Sequence, residues 1–223
     1  MNKNIDYLKE RFKDCFDVKF RELSTILGNG TVVFIDDLCN SQWMMEYMIL
    51  PLRGFGELKG EEGISTPKDL IDKVLDMNMT GIAKDVDDAI FHVLSGDVIL
   101  VLNDYEEIIY SEVKNMVRRG IGIPDTESVL KGPREGFNEL IVDNVALIRR
   151  RLKNPDLKFE AVYVGEKSQT AVAITYIKGI VDENVLEDIR KKVKSLDLRF
   201  VLDSNYIECN LKKENSFFDT VGY

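Results

Sequence analysis

Three consecutive arginines, Arg149, Arg150 and Arg151, are the residues best suited to hold a partner. A guanidinium fork meets carboxylates and phosphates in two-point geometry. Arg134, Glu135 and Asn144 precede them, and the six residues form a candidate contact surface for a neighbouring subunit. At about 100° per residue the three arginines fan around a helical turn and cannot all face one partner. One interpretation sets the cations against the negative end of a helix. The other makes them an anion-binding or subunit-contact patch.

Other chemistry finds little support. His92 is the lone histidine, lies beside Phe91 in a helical pattern, and is expected to be structural, with no second histidine to build a metal cluster. Asp36-Asp37 could offer hard oxygen ligands, but adjacent strand residues point to opposite faces, so turn or cap roles are expected. Cys15, Cys39 and Cys209 are widely spaced and without CxxC, which supports neither a disulfide framework nor zinc and fits a reducing compartment. Gly28-Asn29-Gly30 and Gly120-Ile121-Gly122 lack dinucleotide-loop spacing. Accordingly, no catalytic residue, metal or cofactor is expected, and the chain is read as non-enzymatic.

The arginines must be presented by a helix. Gly132-Pro133 sets up its first turn, where proline's missing N–H costs nothing and Glu135 suits the positive end. Phe137, Leu140, Ile141, Val145, Ile148 and Leu152 form its apolar stripe, and Asn154-Pro155 stops it. A strand follows over Leu157 to Val164, a turn over Gly165 to Ser168, a strand over Thr170 to Ile177, and a helix capped by Asp182 with Val185, Leu186, Ile189 and Val193 buried.

The order helix, strand, turn, strand, helix is also predicted earlier: Asn4 to Lys13, Asp17 to Leu23, a turn at Gly28-Asn29-Gly30, Thr31 to Ile35, and a helix from Ser41. Phe20 and Phe159 lie 139 positions apart and Ile35 and Ile177 lie 142 apart, which is the spacing of an internal repeat. Between the copies, Gly54 to Pro67 reads as a loop, Thr66-Pro67 and Asp85 open helices, and Asp97 to Leu102 is a buried strand answered by Glu107 to Val113. The cluster Trp43, Met44, Met45, Tyr47 and Met48 is core or an adaptable partner surface.

The fold class is therefore α/β (α+β): two small lobes, each a mixed or antiparallel sheet covered by helices, related by an internal repeat. The amino-terminal lobe is 1–118, a Gly/Pro-rich linker 119–133, and the second lobe 134–223. A hydrophobic content of 44% suffices for packed cores, and a net charge of −9 argues against nucleic-acid binding, because phosphates would be repelled. The amino terminus lacks a signal-peptide pattern, and no window approaches the roughly 20 apolar residues that span a bilayer, so a soluble chain is expected.

The segment from Pro124 to Ile180, PDTESVLKGPREGFNELIVDNVALIRRRLKNPDLKFEAVYVGEKSQTAVAITYIKGI, resembles the signature region of the GerA family, the A subunits of spore germinant receptors. NIDYLKERF near Asn4 and FDVKFREL at Phe16 extend the likeness more weakly, so it covers most of the chain. The stage V sporulation protein AF paralogue shares the pattern. The resemblance implies a soluble amino-terminal domain that works with B and C subunits, and through self-association, in the spore inner membrane on the cytoplasmic (spore core) side. A segment similar to SFFDTVGY, at Ser216 to Tyr223, precedes the membrane domain in that family. The A-subunit amino-terminal domains of that family are similar in fold to two-lobed solute-binding proteins, which the resemblance carries over as a small-molecule-binding alternative.

Overall fold

The computed structural model describes residues 2–54, 63–75, 77, 79–114, 136–196, 198–201, 204 and 207–208. Their contacts divide the chain into two units, Met1–Pro155 and Asp156–Tyr223.

The first unit is organised by β4 (Val98–Leu102), whose residues are all buried. An unbroken VILVL run leaves neither face for water, so both sides need cover. With β1 (Val18–Thr25), β2 (Gly28–Ile35), β3 (Thr80–Ile82) and β5 (Ile108–Ser111) it forms a five-stranded sheet in the order β1-β2-β4-β5-β3. Every pairing is antiparallel. Because side chains alternate along a strand, Val33, Ile35, Ile99 and Val101 share one core with Leu8 of α1 (Lys3–Arg11) and Ile90 of α5 (Val86–Leu94). Val32, Leu100 and Leu102 share the other with Met44, Met48 and Leu52, which lie on α2 (Ser41–Met44), a π-helical turn (Met45–Ile49) and α3 (Leu50–Leu52). Leu70 of α4 (Pro67–Lys73) joins this second core.

Local chemistry sets the helix starts. Asn2 caps α1, Asp85 caps α5, and Thr66 with Asp69 forms a reciprocal capping box on α4. The methionine cluster divides, with Met44 and Met48 buried and Trp43 and Tyr47 exposed.

One predicted turn is displaced. Gly28, Asn29 and Gly30 are strand residues paired with Thr25, Ser24 and Leu23, and the chain reverses at Ile26 and Leu27. The Thr25 hydroxyl accepts the Leu27 N–H, Leu52 O accepts the Ile26 N–H, and both apolar turn residues pack on the second core. Gly30 serves close approach instead, since a Cβ there would meet Val101 O at 3.0 Å.

In the second unit, β6 (Leu157–Val164) and β7 (Thr170–Ile177) pair antiparallel over their full length. The turn between them contains Gly165 at φ +91°. Packed on them is α7 (Glu183–Lys194), whose start Asp182 caps through the Asn184 and Val185 N–H groups. Leu186 and Val193 meet Val164 and Ile174, whereas Val185 and Ile189 of the expected stripe are exposed. A two-stranded sheet offers only about 5 Å between strand axes, so it covers a narrow seam of the helix.

Helix, strand, strand, helix is the element order at both 3–44 and 141–194. The first hairpin continues into a five-stranded sheet and the second forms a sheet of two, so the order does not establish a repeat. The 119–133 linker lies outside the described residues, as do Cys209 and the Ser216 to Tyr223 tail. The division between units falls instead after Pro155, and α6 (Ile141–Arg151), assigned from sequence to the second lobe, belongs to the first unit, with Ala146 in its core. Gly/Pro content marks where a chain bends easily; contacts decide which side an element packs on.

Candidate functional site

The helix expected from Pro133 begins only at Ile141, leaving Phe137 (72% exposed) and Leu140 outside it. Local side chains compete with the backbone for hydrogen bonds here. Asn138 accepts the Leu140 N–H at 2.8 Å and donates to Asp143 at 2.7 Å. Asn144 accepts the Asn138 N–H and donates back to the Asn138 carbonyl, each at 2.8 Å. Asn144, a predicted contact residue, thus holds the helix entry. Arg134 and Glu135 lie outside the described residues.

The buried stripe of α6 is Asp143, Val145, Ala146 and Arg149, with a charged residue at each end. Arg149 is 0% exposed. Its Nε donates to Asp17 Oδ2 at 2.7 Å, Nη2 donates to Oδ1 at 3.1 Å, and Nη1 donates to Asn154 O at 3.3 Å. Asp17 is itself buried, immediately before β1, and its backbone carbonyl accepts the Asp36 N–H at 2.9 Å. Burial disfavours the charged guanidinium, but the hydrogen bonds and charge of Asp17 outweigh it and leave the Arg149 pKa raised. The arginine fan therefore resolves into one cation inside the chain and two exposed ones, Arg150 and Arg151, on the last helical turn. Two-point carboxylate recognition does occur, within the chain.

Two further polar groupings escaped sequence reasoning. His92 Nδ1 lies 2.7 Å from Asp97 Oδ2, and its ring stacks on Tyr110 with centroids 3.7 Å apart. Lys114 Nζ stands 3.3 Å from the buried Asp97 Oδ1, an ion pair without hydrogen-bond geometry, and 2.8 Å from Glu112 Oε1. Burial pulls the Lys114 pKa down, yet the Glu112 hydrogen bond and the Asp97 charge leave it raised. Cys39 is buried nearby in the chain's fold, its thiol pushed up to about 12 chiefly by burial and donating to Gly96 O, so it is no thiolate nucleophile. Asp36 sits 3.9 Å from Lys19, and Asp37 takes φ 62°, the left-handed conformation of a turn. Among the described residues no group of three or more His, Cys, Asp and Glu side chains is placed to hold a metal ion.

In the second unit, Glu160 of β6 accepts from Arg190 Nε at 2.8 Å, from Arg190 Nη2, and from the Tyr176 hydroxyl of β7. The Arg190 hydrogen bond holds the Glu160 pKa below the usual carboxylate range. Both ionic contacts join residues far apart in sequence, and no local pattern marks either.

These features define an antiparallel α/β chain of two units whose best-formed ionic contacts are architectural. The chain belongs to the GerA family: the family described as Bacillus/Clostridium GerA spore germination protein matches residues 6–223. It is 28% identical over 217 residues to spore germination protein KA of Bacillus subtilis (strain 168), covering 95% of this chain and 39% of that protein. Stage V sporulation protein AF of the same organism is 29% identical over 202 residues, covering 88% and 40%. The crystal structure of the N-terminal domain of the A subunit of the Bacillus megaterium spore germinant receptor GerK3 shares the fold, with a TM-score of 0.68 and 22% identity over 93% of this chain and 76% of that one. The chain spans 39% and 40% of the length of the two Bacillus subtilis relatives. Among the described residues no helix is long and apolar enough to cross a membrane.

Proposed function

We propose that this chain is the amino-terminal portion of a spore germinant receptor A subunit, a non-enzymatic module that passes a change in subunit packing onward during nutrient-triggered germination. The observation that carries this is the family match across 6–223 together with the fold shared with an A-subunit N-terminal domain. Its partners are the B and C subunits and further copies of the chain, in a complex at the spore inner membrane with this portion on the cytoplasmic side. The related stage V sporulation protein AF supplies the second reading, because its identity to the chain matches that of protein KA within one percentage point. A packing change is transmitted only if partners bind two arrangements with different free energies.

The exposed cations at the end of α6 are the proposed contact, with Arg150 as the member to test. Spores lacking the gene should lose part of their nutrient response; full germination with every nutrient tried would sink the receptor reading, and a defect in spore formation would favour the paralogue. In the full-length protein, Arg150→Glu should leave folding stability within about 0.5 kcal/mol while reducing co-purification of the B and C subunits. Undiminished co-purification would remove Arg150 from the contact.

A further inference from the structure

We infer that β7 is an open pairing edge through which two copies of the chain join their hairpins into one four-stranded sheet, about a two-fold axis passing by Ala173. The inference rests on the self-association within the proposed function and gives it a surface. It is tested on the purified chain, so its failure is distinct from failure of the spore and co-purification experiments.

The ladder fixes which backbone groups face outward. Asp156 O accepts the Lys178 N–H at 2.8 Å, one step beyond the Leu157 and Ile177 pair. Bonded and unbonded pairs alternate in an antiparallel ladder. Lys158 with Tyr176, Glu160 with Ile174 and Val162 with Val172 are therefore bonded, whereas Ala171, Ala173 and Thr175 turn N–H and C=O away from β6. Among the described residues no hydrogen bond reaches those outward groups. Natural edge strands carry charges, proline or bulges that discourage pairing. β7 reads Thr-Ala-Val-Ala-Ile-Thr-Tyr-Ile, without charge or proline, and its register runs unbroken.

The helix above points to the same edge. Steps of about 100° put Arg190 and Lys194 on one side of the seam made by Leu186 and Val193, and Val185 and Ile189 on the other. Arg190 binds Glu160 of β6 and Lys194 adds its charge there. Val185 (53% exposed) and Ile189 (36%) thus overhang the β7 side, where the sheet ends too soon to cover them.

A second copy fits both features. With Ala173 opposite itself, Ala171 faces Thr175 and Val172 faces Ile174 across the axis, so the outward groups fall in bonded positions and no like charges oppose. Each α7 lies above its own strand pair, so strands about 4.8 Å apart set the two helix axes about 10 Å apart, close to the helix packing distance. The Val185 and Ile189 stripes then face each other. A lone extended peptide would pair with the edge but bring no helix to that stripe.

Sedimentation equilibrium of the 223-residue chain should show a dimer fraction growing between about 10 µM and about 1 mM, as suits a contact of modest area. Ala173→Pro removes the central outward N–H and spares the ladder to β6, a placement that tolerates proline. It should raise the dissociation constant at least about tenfold, and so should Ile189→Lys at its exposed helix position. In a Cys209→Ser background, Ala173→Cys should oxidise to a covalent dimer, because bonded antiparallel partners stand about 5.5 Å apart between Cα atoms, within disulfide reach. Ala171→Cys should stay mainly monomeric, since the axis holds it about 14 Å from its counterpart. A chain still monomeric at about 1 mM overturns the inference and leaves the edge to a strand from another protein. A dimer unmoved by Ile189→Lys, or cross-linked as readily through position 171 as through 173, overturns it too. Should Ala173→Pro lose its fold by circular dichroism, the cysteine pair and Ile189→Lys decide.

Discussion

The two units use the same motif, an antiparallel hairpin under a helix, but secure it differently. In the first, β4 is sealed on both faces by apolar side chains, and the ion pair of Arg149 with Asp17 is shielded from water. In the second, a sheet of two strands meets α7 on a narrow apolar seam, and Glu160, Arg190 and Tyr176 add a partly exposed polar clasp. The difference shows what sheet width decides. A wide sheet holds the fully dehydrated Arg149–Asp17 pair because surrounding contacts fix its geometry, whereas a two-stranded sheet is marginal alone and its Glu160–Arg190 clasp stays near solvent.

The contrast is most sharply tested at Arg149. Removing one member of a buried pair leaves an uncompensated charge, so Arg149→Ala should destabilise the first unit by about 3–5 kcal/mol. Fluorescence of the single tryptophan, Trp43 in the first unit, follows its unfolding in denaturant. The double substitution Asp17→Leu with Arg149→Leu should recover most of that loss, because the desolvation cost disappears with the charges. If Arg149→Ala costs less than about 1 kcal/mol, as exposed pairs do, the two units do not differ in the way described.

Next in size is Leu100→Ala on β4, where a cavity opens in the second core of the first unit and about 2–5 kcal/mol should be lost. Hydrogen exchange resolved by segment should show the effect in β2, β4 and β5. A similar loss of protection in β6 and β7 would mean the two units unfold together.

The smallest effect is expected at Glu160. Glu160→Gln should cost about 1 kcal/mol, the scale of one charge-assisted contact near solvent. Because the Arg190 hydrogen bond lowers the Glu160 pKa in the folded state, its contribution is fully present above the ordinary carboxylate value of about 4.3 and disappears as pH falls through the lowered folded value. Protection of β6 and β7 should therefore fall with acidification below about pH 4.3 in the native chain and less steeply in Glu160→Gln. An identical pH profile in both would remove Glu160 as the source.

Much of the architecture was legible along the chain. Asp182, Asp85 and Thr66-Pro67 announced their helices because capping is a local transaction between a side chain and N–H groups two or three residues on. The VILVL run announced a strand covered on both faces. The Gly28-Asn29-Gly30 turn misled because glycine serves reversal and close approach equally well, and only the neighbouring β4 shows which is required at Gly30. The candidate contact helix was legible as a helix but not in its start or its buried face: Asn138 and Asn144 shorten it, and Arg149 turns inward. Nothing local could have paired Arg149 with Asp17, since they lie 132 positions apart.

Taken alone, the order of residues determined the element types, the helix caps, the central buried strand and the family, because each depends on interactions or patterns within a few positions. Tertiary structure alone decided which arginine is buried and where the chain divides. These depend on the distance between groups remote in sequence, and the free energy of a charge depends on the water and counter-charge that such proximity removes or supplies.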